Sequence, residues 1–288
     1  APVRTADIGG APMRVAVAGP HVVVIDRRTR QVRAFRADTM RRAGDGFRMP
    51  LPAAAAPVDM SASGRVVWVV ATDALDSRGW LVRIDLASGR TRTRTLPFAP
   101  VEVRARNAGT AFVLTQSGTL YQATMGRLVR RGGDVPADAI TAGGVGGWML
   151  SAGDERGVQR IRRVAGAPPV AGLPAADGRR VEVGAGWIWV TAGCGRHIGR
   201  VRPSGGGLKC VPVSATRLQV TPDGVWAAGG RRSLARIDPA TGEVTRRLQL
   251  PGRVSDLAVG GGHLWAVGES GVLARLPLEA SGGAAGPV

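Results

Sequence analysis

Short apolar runs broken by glycine, proline and aspartate recur along the whole chain, and residues 216–252 show the pattern most completely. There LQV (218–220) reads as a first strand, Pro222-Asp223-Gly224 as a turn, and VWAA (225–228) as a second strand. Gly229-Gly230 turns the chain into LARID (234–238), Pro239-Ala240-Thr241-Gly242 turns it again, and EVTRRLQL (243–250) returns as a fourth strand. In that last turn proline presets φ and glycine accepts a positive φ. Four short antiparallel strands in a unit of roughly 40 residues describe one blade of a β-propeller.

Weaker copies of the unit fill the rest of the chain. Aligned on the first strand, their apolar anchors are Val15, Val58, Val101, Ile140, Val181, Leu218 and Leu257, spaced 43, 43, 39, 41, 37 and 39 residues apart. Eight residues after the anchor come Trp148, Trp189, Trp226 and Trp265, while Trp68 and Phe112 follow longer turns and blade one carries Val23. Each aromatic stands mid-strand between aliphatics, which suits packing of blade on blade better than stacking on a sugar or base. The expected fold is all-β, a seven-bladed propeller of four-stranded antiparallel blades.

The last copy, from Leu257 to LARL (273–276), lacks a fourth strand. RTADI (4–8) supplies it by alignment, because Ile8 precedes Val15 by seven residues as Leu250 precedes Leu257. The N-terminal strand is therefore expected to close the last blade and remove the open sheet edges. Residues 1–279 read as a single domain, with an insertion or long connection at 38–57 and a loop at 165–177. The tail ASGGAAGPV (280–288) reads as a flexible tether.

Composition narrows the partners. No apolar run of about 18 residues is present, so no membrane span is expected. The chain opens Ala-Pro-Val without a signal-peptide pattern, as a processed terminus would. Its net charge of +18 comes almost wholly from arginine, Lys209 being the single lysine. Such charge attracts anions, but it is spread through all blades with no block of five basic residues. Nucleic acid is not expected; a protein or cell-envelope ligand is, with the chain monomeric. Cys194 and Cys210 flank HIGRV (197–201), so one hairpin brings them together. A disulfide there would place the chain outside the cytoplasm, whereas a zinc site would lack ligands beyond His197.

Candidate chemistry gathers at two places. The residue after each first-strand anchor is Ala16, Asp59, Glu102, Thr141, Glu182, Gln219 or Ala258. First strands surround the axis of a propeller, so Asp59, Glu102, Thr141, Glu182 and Gln219 are candidates to line its channel. They would form a site for a divalent cation or polar ligand, or simply a water-filled polar channel. The third strands repeat Arg83, Arg160, Arg200, Arg236 and Arg275. These five could hold an anionic partner bidentately, or pair with nearby groups and solvate their blades. Asp85 and Asp238, two positions further on, suit the following turns. His21, His197 and His263 lie at turns, and Glu269 lies at the far end of the strand that His263 begins. No GxSxG elbow, Walker loop, HExxH or strand-borne GxGxxG occurs. No catalytic residue, resident metal or cofactor is assigned on these grounds.

The segments DGVWAAGGRRSLARIDPATGEV, GAGWIWVTAGCGRHIGRV and GGHLWAVGESGVLARL resemble bacterial propellers of the YVTN/NHL type, including the virginiamycin B lyase relatives. The resemblance runs from residue 4 to about 278 and implies a propeller serving as ectodomain, sensor, scaffold or, in the lyase, enzyme. It implies for the lyase two histidines and a glutamate acting with magnesium near the axis; none of the three histidines here stands in a copy of that motif. Similar propellers form sensor regions of actinobacterial receptor kinases, which implies an extracytoplasmic domain tethered through its tail. The function expected is thus an extracytoplasmic, non-enzymatic sensor or scaffold that binds a ligand or protein. The alternatives are a metal-assisted lyase or hydrolase using Glu102, Glu182 and His197 at the channel, and adhesion to anionic polymers.

Overall fold

The computed structural model describes residues 2–278 except 74, 76, 132–135, 143–146, 152–157, 165–168, 174–179, 222–223 and 230–231. Seven four-stranded antiparallel sheets form a ring. Their first strands are Pro12–Ala18, Ala55–Ser63, Pro100–Ala105, Ala137–Thr141, Val181–Gly184, Arg217–Thr221 and Val254–Gly260. Each touches the first strands of both neighbouring blades, so together they wall the central axis. In blades one to six the chain then steps outward strand by strand. In blade seven the outermost place is taken by Arg4–Asp7, which pairs with Val272–Pro277 in the register Arg4 opposite Arg275 and Asp7 opposite Val272. The N-terminal strand closes the ring, as the spacing of Ile8 and Leu250 predicts.

Hydrophobic patterning explains where the core lies. Second strands such as Val66–Asp73 (VVWVVATD) are apolar on both faces because each is covered by a blade on either side. The buried side chains accordingly divide into seven main clusters, one between each pair of adjacent blades. Trp68, Trp189 and Trp265 are the largest fully buried side chains and sit inside these wedges. Truncating one to alanine should cost about 3–5 kcal/mol. Toward the axis the blades converge, and at two inner strand ends no side chain fits between them. A Cβ on Gly184 would stand 2.6 Å from Val220, and one on Gly260 would stand 2.4 Å from Val17, each on the next blade. Glycine there lets the inner strands meet.

Two details differ from the sequence expectation. Five first strands carry a β-bulge near their start, and the bulged residues of blades two and three are Val58 and Val101. The strand anchors of those blades are therefore Met60 and Val103, opposite Val69 and Val113, two residues later than the apolar spacing suggests. A valine on a bulge mimics an anchor in sequence, but the extra residue leaves it outside the regular alternation. Secondly, the segment 38–57 is more than an insertion: Phe47–Arg48 within it pairs with Gln31 and Val32 as the fourth strand of blade one.

The turn after Ile237 forms as its residues predict, with Asp238 Oδ1 accepting the amides of Ala240 and Thr241 and Gly242 at φ 85°. The Cys194–Cys210 disulfide forms, joining the second strand of blade five to the fourth across His197–Val201. The turn residues Pro222, Asp223 and Gly230, much of the loop 165–177, and the tail 280–288 lie outside the described residues. Among the described residues no helix is long and apolar enough to cross a membrane.

Candidate functional site

The first strands place two layers of side chains around the axis. One layer, immediately before the strand anchors, reads Arg14, Asp59, Glu102, Ala139, Arg180, Arg217 and Asp256. The other, immediately after them, reads Ala16, Ser61, Arg104, Thr141, Glu182, Gln219 and Ala258, each opposite the blade's aromatic or, in blade one, Val23. Asp59, Glu182 and Gln219 line the channel cavity, and Glu102 stands on the same strand series in blade three. Thr141 stands buried on the same strand series, in blade four. The bulges divide the expected single ring: Asp59 and Glu102 belong to the first layer, and Thr141, Glu182 and Gln219 to the second.

What the sequence reading does not anticipate is the arginines. Arg14 Nε lies 2.6 Å from Asp59 Oδ1, Arg104 Nη1 lies 2.9 Å from Asp59 Oδ2, and Arg180 Nη1 lies 2.9 Å from Glu102 Oε1. Arg104 Nη2 also donates to Glu102, so an unbroken chain of alternating charge links blades one, two, three and five. Arg217 Nε stands 3.4 Å from Asp256 Oδ1. The carboxylates also clasp neighbouring blades. Asp256 accepts the amide of Val15 at 3.1 Å, Asp59 that of Val103 at 3.0 Å, and Glu102 that of Ile140 at 3.0 Å. Three of the joints between blades are therefore pinned at the axis by an acid on one blade and a backbone N–H on the next.

Electrostatics separates these acids. Burial would raise the Asp59 carboxyl, but Arg104, Arg180, Arg14 and the Val103 amide outweigh it and bring it down to about 2. Glu182 makes no hydrogen bond or close ion pair among the described residues. Burial dominates there, with Arg104 and Arg180 only partly opposing it, and pushes its carboxyl up to about 7. Burial and the nearby Arg180 bring Arg217 down to about 10, although Asp256 opposes them. Among the described residues no group of three or more histidine, cysteine, aspartate or glutamate side chains is placed to hold a metal ion. The channel encloses a cavity of about 230 Å³, lined by residues that include Arg104, Arg180, Glu182, Arg217, Gln219 and Asp256.

The third-strand arginines occupy a different environment. Arg83, Arg200, Arg236 and Arg275 each pair across the sheet with their blade's tryptophan. In blade four that place belongs to Arg163, whose guanidinium lies 5.1 Å from the centre of Trp148, while Arg160 stands opposite Gly172. Arg200 and Arg275 are buried. Arg200 donates to the carbonyls of Pro239, Ala240 and Thr241, and Arg275 to those of Ala37 and Asp38. Arg83 donates to the carbonyl of Ala108. Each of these three reaches a turn of the following blade, so they work as struts between blades. His263 and Glu269 bracket the second strand of blade seven, and Glu269 stands 3.7 Å from Arg253 at the surface.

No family model matches the chain, and no curated protein matches it in sequence. Solved structures share its fold. The virginiamycin B lyase of Staphylococcus aureus superposes with a TM-score of 0.74 at 14% identity, covering 96% of this chain and 99% of the lyase. YCF48 bound to a D1 peptide gives 0.72 at 14% identity, covering 97% and 98%. A chain of the mitotic checkpoint complex gives 0.75 at 13% identity, covering 96% and 95%. At these identities the likeness establishes the seven-bladed propeller and nothing finer.

Proposed function

We propose that this chain is an extracytoplasmic, non-enzymatic binding propeller that engages a protein or envelope ligand through one of its faces. The observation that carries this reading is the engagement of the channel acids. Asp59, Glu102 and Asp256 are held by guanidiniums and by the amides of the next blade, which leaves Glu182 without the second free carboxylate that a metal-assisted reaction would recruit beside it. The Cys194–Cys210 disulfide supports an oxidising compartment. Binding also suits the company of the fold, since YCF48 carries a D1 peptide and another similar chain belongs to the mitotic checkpoint complex.

The test is retention of envelope proteins on the immobilised chain while salt is raised in steps. One protein species held at high salt, and recovered in the reciprocal experiment, is the expected result. Release of mixed anionic material at low salt would replace the reading with charge-driven adhesion of the +18 surface. Turnover of a small substrate that Glu182→Ala abolishes would replace it with catalysis.

A further inference from the structure

The channel has an electrostatic remainder that the ion-pair chain does not use. Four guanidiniums (Arg14, Arg104, Arg180 and Arg217) converge on it, and three acids answer them through close pairs, namely Asp59, Glu102 and Asp256. The two guanidiniums that line the cavity toward blades five and six are only partly engaged. Arg180 Nη2 stands 3.9 Å from Asp59 Oδ1, beyond hydrogen-bond distance, and donates no hydrogen bond among the described residues. Arg217 is anchored by Nε to the carbonyl of Ser255 and by Nη1 to that of Thr216, which leaves Nη2 without a hydrogen bond among the described residues. Glu182 and Gln219, lining the same cavity, are likewise without a hydrogen bond among the described residues. Fixed cationic donors beside polar groups that lack partners are the features of an anion site, not of a cation cage.

We propose that the central channel binds a small monoanionic carboxylate, held by Arg180 and Arg217 and completed by Glu182 and Gln219. The cavity of about 230 Å³ lies below the range of drug-sized pockets, which suits a small ligand. One negative charge matches the single guanidinium left over when Glu182 is neutral, and a neutral Glu182 donates its O–H to the bound carboxylate. Deprotonation of Glu182 removes that donor and cancels the surplus charge. Glu182 is acted on by Arg104 and Glu102 from blade three, Arg180 from its own blade and Asp256 from blade seven, and it shares the cavity with Arg217 of blade six and Asp59 of blade two. With Asp59 held ionised by its arginines, Glu182 is the group whose proton follows the ligand. Affinity should therefore fall as pH rises through neutrality. The inference concerns the channel and not a face, so it and the protein-binding reading stand or fall separately.

Calorimetric titration of the full chain with acetate, lactate, inorganic phosphate and magnesium chloride, at constant ionic strength and at acid and alkaline pH, decides it. The expected result is one monocarboxylate per chain, bound with proton uptake and about tenfold more weakly at pH 8 than at pH 6. Arg217→Gln should weaken binding by about tenfold or more. Glu182→Gln should keep the binding and lose its pH dependence. Circular dichroism melting confirms that both variants are folded before they are titrated. Absence of carboxylate binding at pH 6 overturns the proposal, as does preference for phosphate or magnesium. Binding indifferent to both substitutions would place the carboxylate elsewhere on a basic surface and overturn it equally.

Discussion

Asp59 and Glu182 stand on the first strands of blades two and five, face one channel and share Arg104 and Arg180, yet one carboxyl is brought down to about 2 and the other pushed up to about 7. Their layers explain the difference. Asp59 follows a bulge, and this turns it toward Arg14, Arg104 and the N–H of Val103. Glu182 lies one layer on, in a strand of unbroken register, where the arginines act on it only through space. Burial is the largest influence on both; Arg104, Arg180, Arg14 and the Val103 amide outweigh it at Asp59, whereas at Glu182 only Arg104 and Arg180 oppose it and the nearby Glu102 and Asp256 add to it. The same side-chain chemistry thus gives a joint in one place and a protonatable group in another.

The strongest way to break this comparison is Asp59→Ala. It strips Arg14 and Arg104 of their shared carboxylate and the Val103 amide of its acceptor, and should cost about 3–5 kcal/mol in urea unfolding. A loss below about 1 kcal/mol would mean the ion-pair chain contributes little at the axis. The native stabilisation of Asp59 is present above its unfolded value near 3.8 and is lost as pH falls through about 2. Glu182 works in the opposite sense. Its folded-state value exceeds the unfolded 4.5, so the native state holds the extra proton and stability declines as pH rises from 4.5 through about 7. Glu182→Gln should therefore stabilise the protein at pH 8 by on the order of 1–3 kcal/mol and leave it nearly unchanged at pH 5. Equal stability of parent and variant at both pH values would refute the contrast.

Smaller effects sharpen it. Arg180→Met should move the Glu182 titration up by about one pH unit in carboxyl NMR while shifting Asp59 less, because Arg14 and Arg104 remain on Asp59. Comparable movement of both would show that distance, not direct bonding, governs the pair. Gln219→Ala should change stability by no more than about 0.5 kcal/mol, since its side chain hydrogen-bonds nothing among the described residues. A large loss would reveal a partner for it in the channel.

The fold was legible because an apolar first-strand position recurs at near-constant period through seven copies and, from blade two on, an aromatic follows it in the second strand. The closing strand was legible from the matched intervals of Ile8 and Leu250 to the anchors after them. The channel was half legible. Counting one residue beyond the anchors finds Asp59, Glu102, Thr141, Glu182 and Gln219, but Val58 and Val101 occupy bulges and disguise the true register. Met60, eight residues before Trp68, keeps the interval seen in blades four to seven and was the signal for it. With that register, the residues flanking the anchors display Arg14, Arg104, Arg180, Arg217 and Asp256 as one set. The role of the third-strand arginines could not be read from one blade's sequence, since the carbonyls they meet belong to the next blade.

The pairing of Arg4–Asp7 with Val272–Pro277 also sets an order of events during synthesis. The two strands are about 270 residues apart in the chain, so their contact is among the most non-local in the molecule. The segment that emerges from the ribosome early must stay unpaired until almost the whole ring has been made, with its backbone donors and acceptors open to any other strand edge. Ring closure is then the natural last step of folding, and chains waiting at that step are the ones most exposed to pairing with each other.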